Sequence, residues 1–496
     1  MAQAAASSVN KEMEVSMERL STGKGINGAS DDAAESAIAS RLTAEIRGTN
    51  QAICNAMDGQ AMIDTAEGAH QEVENIFQRM RELAVQSAND TNSNVDRSFL
   101  QSKISQLRTE IDRIASTTSW TGINLMDGSF ATKKIQVGSG SGSAHQITSS
   151  MNSMASASIG AHRIDGTAFA AAISTTAAAS ETMDSTTFNS TGPSGASTIT
   201  MFAGDSVKTV ATTVNAATSS TGVTASAVTN VKLSTVATGV VTFALTGDAQ
   251  ASISATVTSA SDLTALRDAI NAVAGTSGVT AAFDGTVKSA LILTDVDGGD
   301  ILIENFASDA SGNQTMIAQG MNYAATAVSG IARTLDETAN DSTIAHGVLR
   351  LEAAGSFTVD AEAYGSANAI SAVDTGYFGN TTSTSSTLAA ISGVDIGALA
   401  NARSAIEAIE AIDGGLRMVN AQRADLGSIS NRLDSTVSNL ANISSNLEAG
   451  YGRIEDADFA AETTSLAKAQ ILQQASTAML AQANGSKQNV LGLLQG

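Results

Sequence analysis

Residues 100–114 read Leu-Gln-Ser-Lys-Ile-Ser-Gln-Leu-Arg-Thr-Glu-Ile-Asp-Arg-Ile. Leu100, Ile104, Leu107, Ile111 and Ile114 alternate spacings of four and three, with polar side chains between them. That is the seam of a coiled coil. Each such side chain, fully buried, contributes about 1.5–3 kcal/mol, yet a single helix of this length is marginal in water. The stripe therefore needs a partner helix, and the sequence places the candidates at the far ends of the chain.

Toward the N-terminus, Val9, Met13, Met17 and Leu20 form one apolar helical stripe among charged residues. Gly23, Gly25 and Gly28 interrupt it, and Ser30 with Asp31 and Asp32 supplies an N-cap and acidic first turn for a second helix. Leu42, Ile46, Ile53, Met57, Val73, Ile76, Met80 and Leu83 carry that helix to about Ser87, where the polar cluster Asn89 to Asn94 ends it. At the other end, Ile406, Ile409, Leu416, Val419, Leu426, Ile429, Leu433, Val437, Leu440 and Leu447 mark another long helix. Gly414 and Gly415 weaken it by about 1 kcal/mol each relative to Ala. A break is expected at Gly450 to Gly452, then a last helix from about Asp458 with Leu466, Ile471, Met479 and Leu494.

Between these ends, from about 118 to 397, the chain is rich in Ser, Thr, Ala and Gly with strand-like alternation. Ile123 to Val137 reads as a hairpin about an Asp127-Gly128 turn. Val240–Leu245, Ile253–Val257, Leu291–Thr294, Ile301–Ile303 and Val348–Glu352 are the clearest strands. One helix is expected among them, capped by Ser261, faced by Leu263, Leu266, Ile270 and Val273, and ended by Gly275. The fold class is α+β: a long antiparallel helical bundle built from both termini around a mostly β central region.

Composition narrows the function. The formal net charge is −22, which disfavours nucleic acid and anionic membrane surfaces. One cysteine, Cys54, excludes an intrachain disulfide framework. No run approaches membrane-spanning length, and the start lacks a secretory signal, so an extracellular chain would need another export route.

No catalytic or cofactor constellation emerges. His70, His145, His162 and His346 are scattered, and the glycines of Gly138 to Gly142 lack the Lys-Ser/Thr of a phosphate loop and read as a flexible linker. Asp295-Val-Asp-Gly-Gly-Asp300 resembles part of a calcium loop, but without the later Glu it reads as a hairpin turn, and no metal is assigned. Arg79, Arg81, Glu82, Arg108, Glu110 and Arg113 form a charged band, read first as a solvated face with helical ion pairs.

Several of these motifs together resemble bacterial flagellins. Ser21-Thr-Gly-Lys-Gly-Ile-Asn-Gly-Ala-Ser-Asp-Asp-Ala-Ala34 is similar to the family's break between its first two helices. Gln78-Arg-Met-Arg-Glu-Leu-Ala-Val-Gln-Ser-Ala-Asn89 and Glu110-Ile-Asp-Arg-Ile114 resemble its helical motifs. Gln422-Arg-Ala-Asp-Leu-Gly427, Asn431-Arg432, Arg453-Ile-Glu-Asp-Ala-Asp-Phe459 and Ala469-Gln-Ile-Leu-Gln-Gln474 continue the likeness. Ile270 to Thr280 looks, more weakly, like the insertion motif of flagellins and hook-associated proteins.

The resemblance implies a structural subunit that polymerises into the extracellular flagellar filament, with a hook-filament junction protein as the alternative. It implies an inner layer of 1–29 with 457–496, a helical core of 30–140 with 395–456, and an outward region 141–394. Assembly contacts would come from Val9, Met13, Met17, Leu20, Leu466, Ile471, Met479 and Leu494. Other implied partners are an export chaperone for the type III route, a filament cap, hook-associated proteins and a Toll-like receptor reading Arg79, Leu83 and Glu110. The family's Asn-Thr-Asn-containing start is missing, which implies either a misassigned start codon or a shortened inner helix. Gly25 replaces a commonly basic residue, and Cys54 is an unusual thiol.

Overall fold

The computed structural model describes residues 2–89, 91–130, 132–166, 170–174, 186–202, 204–236, 238–285, 287–329, 332–338, 341–361, 383–397 and 402–494. The helices are α1 (Ala2–Thr22), α2 (Ala33–Ala88), α3 (Asn94–Thr117), α4 (Val207–Ala216), α5 (Thr218–Thr221), α6 (Thr264–Ala272), α7 (Ala274–Ser277), α8 (Ala402–Glu455) and α9 (Phe459–Leu494). Two compact units result. One holds Met1–Asp64, Thr132–Ser150 and Leu426–Gly496, and the other Thr65–Ala131 and Met151–Asp425.

In the first unit α1 packs against α9, and the opening part of α2 against the closing part of α8. Ser444 Oγ donates to Asn50 Oδ1 at 2.7 Å, and Gln60 bonds Asp434, so α2 and α8 run antiparallel. A hairpin of Lys133–Gln136 and Gln146–Ser149 lies on α2, where a Cβ on Gly59 would come within 2.8 Å of Ile135 Cδ1. Its loop is no flexible linker: Gly138 and Gly140 close around the His145 ring, leaving no space for a Cβ at either position. Asp32, rather than Ser30, caps α2, its Oδ1 accepting from the Ala34 and Glu35 amides, while Asp31 accepts from Asn27 and Gly28. The later break also moves. α8 runs through Gly450 and Gly452 and ends at Glu455. The two breaks meet, with Ala457 N donating to Gly23 O at 3.0 Å and Lys24 Nζ on Glu455 at 2.7 Å.

In the second unit the remainder of α2 meets that of α8, and α3 is tied to the end of α2 by Arg97, whose Nε donates to Ser87 O at 3.1 Å. Leu100, Ile104, Ile111 and Ile114 are buried as their spacing requires, and Leu107 is half-buried. Ser93 and Asp96 form a reciprocal capping box at the start of α3. Arg423 of α8 bridges Glu67 and Glu74 of α2. The expected Asp127-Gly128 hairpin does not form. Ser119–Trp120 pairs with Ile123–Asn124 instead, and Asp127 accepts from Asn124 Nδ2, Ser129 N and Ser129 Oγ.

The β region contains β1 (Gly160–Asp165), β2 (Thr186–Gly192), β3 (Gly195–Met201), β4 (Val223–Ser234), β5 (Gly239–Thr246), β6 (Gln250–Val257), β7 (Thr280–Asp284), β8 (Val287–Asp295), β9 (Ile301–Ser308), β10 (Val348–Ala353) and β11 (Thr358–Ala361). The largest sheet orders β7-β8-β4-β10-β1 and ends on Thr387–Ala390. A second sheet begins β6-β5-β9, and a third contains β11-β2-β3. Asp295–Asp300 is therefore no hairpin turn, because β8 and β9 belong to different sheets. Nor does one helix suffice: α4, α5 and α7 accompany α6. Asp262, rather than Ser261, accepts from the Thr264 amide, and Gly278 at φ +74°, rather than Gly275, ends the helical turn.

These elements form a module repeated twice. Asn215-Ala-Ala-Thr-Ser-Ser-Thr-Gly-Val-Thr-Ala225 matches Asn271-Ala-Val-Ala-Gly-Thr-Ser-Gly-Val-Thr-Ala281. Asn215 exchanges two 2.8 Å bonds with the Ala225 backbone, and Asn271 does the same with Ala281 at 2.9 and 2.8 Å. Gly222 and Gly278 cap the paired helices at φ +73° and +74°. Each copy closes its own core: Phe188, Ile199, Val207, Val210, Val214 and Val223 in one, Phe243, Ile253, Leu263, Leu266, Ile270 and Val279 in the other. The copies are nested. β10 pairs β4 and β11 pairs β2, as β8 pairs β7 and β9 pairs β5, so the second copy lies within the first, between β4 and β10.

Candidate assembly surface

In α1, Val9, Met13, Ser16 and Leu20 recur at helical spacing, which turns one face toward α9. Asn10 accepts from Gln473 Nε2 at 2.8 Å and Arg19 lies 3.8 Å from Glu462, so the pair is antiparallel. The tightest part of the seam uses small residues, Ser16 and Ala469, which are buried. Val9, Met13, Leu20 and Leu466 are only half-buried. Met17 stays 46% exposed, Phe459 63%, Ile471 66% and Met479 69%. Leu494 ends α9, and its side chain lies outside the described residues. A groove of about 430 Å³ between the two helices is lined by Lys11, Glu12, Arg19, Glu462, Lys468 and Leu472 among others.

The charged band separates into different roles. Arg79 pairs with Glu82 and Arg113 with Glu110 one turn away, exposed pairs of small energetic weight. Arg113 holds the Glu110 carboxyl below its ordinary value. Arg81 instead reaches Asp413 of α8 at 2.7 Å, and Arg108 donates to Ser392 O at 2.6 Å. Leu83 is 2% exposed and belongs to the core, so the surface beside Arg79 and Glu110 does not include it.

The acidic turn holds a lysine. Lys208 Nζ of α4 lies 3.2 Å from Asp297 and 3.6 Å from Asp248, placing a cation of the chain's own among these carboxylates. Asp295 is buried, which pushes its carboxyl up. Among the described residues no group of three or more His, Cys, Asp or Glu is arranged to hold a metal ion. Also among them, no helix is long and apolar enough to cross a membrane.

Helical ends with uncovered apolar faces and a β middle define a structural protein. Residues 1–131 match the family described as bacterial flagellin N-terminal helical region, and 409–494 the C-terminal helical region. Residues 187–239, the first copy of the repeated module without its returning strands, match the flagellin hook IN motif. The chain is 36% identical to a B-type flagellin of Pseudomonas aeruginosa over 98% of its length and 96% of the relative's. It is 32% identical to flagellin B of Vibrio cholerae over 97% and 93%, and 32% identical to a flagellin of Salmonella typhimurium over 97% and 94%. The chain belongs to the bacterial flagellin family. As in its relatives, the role is structural and not enzymatic.

The sequence also carried a signal for the nested module that periodicity did not find. It is the recurrence of Asn-Ala, a Gly-Val-Thr-Ala ending, and a Thr-Phe pair at Thr187-Phe188 and Thr242-Phe243.

Proposed function

We propose that this flagellin polymerises into the extracellular filament that drives swimming, with α1 and α9 supplying the innermost subunit contacts. The observation that carries this reading is the exposure of Phe459, Ile471 and Met479 on a helix of which, among the described residues, Ala469 alone is buried, with Leu466 half-buried. Large apolar side chains left in water forgo about 1.5–3 kcal/mol each, so neighbouring subunits that cover them order the helices as they join. A helical lattice then repeats each contact along its length. In this reading 1–29 with 457–496 form the inner layer, 30–140 with 395–456 the surrounding core, and 141–394 the outward region. Val9, Met13, Met17, Leu20, Leu466, Ile471, Met479 and Leu494 are the contact residues.

The proposal extends to export through the flagellar type III channel with a chaperone on the C-terminal helix, and to capping and hook-associated proteins as neighbours. A receptor contact at Arg79 and Glu110 would include Leu83 only after that side chain leaves the core. The relatives named above are flagellins along nearly their whole length, which favours a filament over the hook-filament junction. Sedimentation and electron microscopy after seeding with filament fragments test the reading. Long filaments are expected; a chain that stays monomeric with ordered ends, or stops at a single ring, rejects it.

A further inference from the structure

In the second unit a buried ionic cluster seats β10 on α8. Arg350 of β10 is 1% exposed. Its Nε and Nη2 donate to Asp165 of β1 at 2.6 and 2.9 Å, Nη1 to Glu410 of α8 at 2.6 Å, and Nη2 also to Glu407 at 3.1 Å. The guanidinium lies 3.7 Å from the centre of the Tyr323 ring, whose hydroxyl is 2.9 Å from Ser226 Oγ and 3.3 Å from Glu410 Oε1. Two residues further along β10, Glu352 faces the same way, and its Oε2 accepts from Arg417 of α8 at 3.2 Å. Arg163 of β1 completes the set, 3.9 Å from Asp165 and 3.8 Å from Glu407. His162, its neighbour in the strand, points to the opposite face of β1.

The charges do not balance. Four carboxylates (Asp165, Glu352, Glu407, Glu410) meet three guanidiniums (Arg163, Arg350, Arg417), leaving one negative charge in excess. The imbalance has a visible atomic counterpart: Glu352 Oε1 is buried without a hydrogen-bond partner. A carboxylate oxygen in that state costs more than a bond simply exchanged with water, and its neighbour Glu410 repels it.

We propose that this cluster is a proton-operated joint, in which one proton taken up by the Glu352 and Glu410 pair on mild acidification tightens the seat of β10 on α8. The proton cancels the excess charge and removes the cost of holding a charged oxygen buried without a partner. Burial raises both carboxyls above their ordinary value, with Glu410 adding to the rise at Glu352 and Arg350 opposing it at Glu410. The sign follows. A carboxyl raised in the folded state destabilises while ionised, and that cost disappears as pH falls through the folded value toward the unfolded value near ~4.3. The joint is tighter in mild acid than at neutrality.

Hydrogen exchange on the full-length chain, corrected for intrinsic rates, reads this directly at pH 7.5 and 5.5. Wild-type amides of β1 and β10 should gain protection between pH 7.5 and 5.5, about tenfold for each unit by which the folded value of the raised carboxyl stands above 5.5. Glu352→Gln should show the higher protection at both values. Retention of the wild-type pH dependence in that variant, or loss of β10 protection on acidification, overturns the proposal. Should the variant not fold, carboxyl carbon-13 titration of the wild type decides. One carboxyl of the pair must titrate above the ordinary glutamate range, and two ordinary midpoints overturn the joint.

Discussion

Gly414 of α8 sits so close to Ala161 of β1 that a Cβ built on it would lie 2.4 Å from the Ala161 Cβ and 2.6 Å from its Cα. Gly415 meets the Phe77 ring in the same way, at 2.8 Å. The glycine pair that weakens α8 by propensity thus lets it approach a strand on one side and α2 on the other. That approach also brings Glu407 and Glu410 within reach of Arg350.

Gly414→Ala should therefore destabilise the chain by about 1–3 kcal/mol, because the overlap with backbone atoms outweighs a gain in helix propensity of about 1 kcal/mol. Gly427→Ala is the control. That glycine is exposed on the same helix with nothing within 4 Å of its added Cβ, so up to about 1 kcal/mol of stabilisation is expected. Denaturant melts of the monomer compare the two; equal effects would mean that the close contact carries no weight.

How far the sequence could be read depends on whether the deciding partner is local. The α3 seam is periodic within itself, and four of its five residues are buried as read, with Leu107 half-buried. Caps were less legible: Asp31 and Asp32 are chemically equal candidates, and only the turn at Asn27 and Gly28 assigns one of them elsewhere. Gly450 and Gly452 suggested a break because glycine disfavours helix, but a penalty near 1 kcal/mol is absorbed by a helix of 54 residues. Sheet partners were least legible. Two apolar runs around Asp295–Asp300 look alike whether they pair with each other or, as here, enter different sheets. The burial of Leu83 follows from its place on the apolar face of α2, whereas the exposure of Ile471 and Met479 depends on which helix covers α9 and is not in their spacing.

His70 gives a pH dependence opposite to that of the Glu352 cluster. Its side chain is fully buried on α2, Nδ1 lies 2.7 Å from Ala66 O, and Nε2 has no partner. Burial lowers its pKa below the ordinary histidine value, outweighing the backbone bond and Glu67. The neutral ring is the stable form, so the stability present above ~6.5 is lost as pH falls through the depressed folded value. His70→Leu should flatten the stability profile of the helices between about pH 6.5 and 5. An unchanged slope in thermal melts across that range would show that His70 is not the titrating group.

Met479→Asp and Ile471→Asp separate assembly from folding. Both side chains are mostly in water in the single chain, so monomer stability should change by no more than about 0.5 kcal/mol. Buried between subunits, a carboxylate in either place would stop growth, since isolated charges are strongly disfavoured in apolar contacts. Seeded polymerisation should be lost in both variants. Normal filaments would place the subunit contacts elsewhere on the chain.

The nested copy should be removable. Val228 and Val348 are register partners on β4 and β10, and between them lie the far half of β4, which pairs only with strands of the insertion, then the second copy and its attached strands. In the second copy the equivalent strands β7 and β8 are joined by a short turn, with Asp284 opposite Val287. Replacing residues 229–347 by Asn-Gly gives the first copy the same tight hairpin, with residues suited to a two-residue turn. Its core of Phe188, Ile199, Val207, Val210, Val214 and Leu349 draws nothing from the second copy's core, so it should close unaided. Arg350 loses the Tyr323 ring, and a lower melting temperature is expected. Cooperative unfolding and seeded assembly should persist, because α1 and α9 are untouched. Loss of protected amides in β2, β3 and α4 would show instead that the two copies fold only as one.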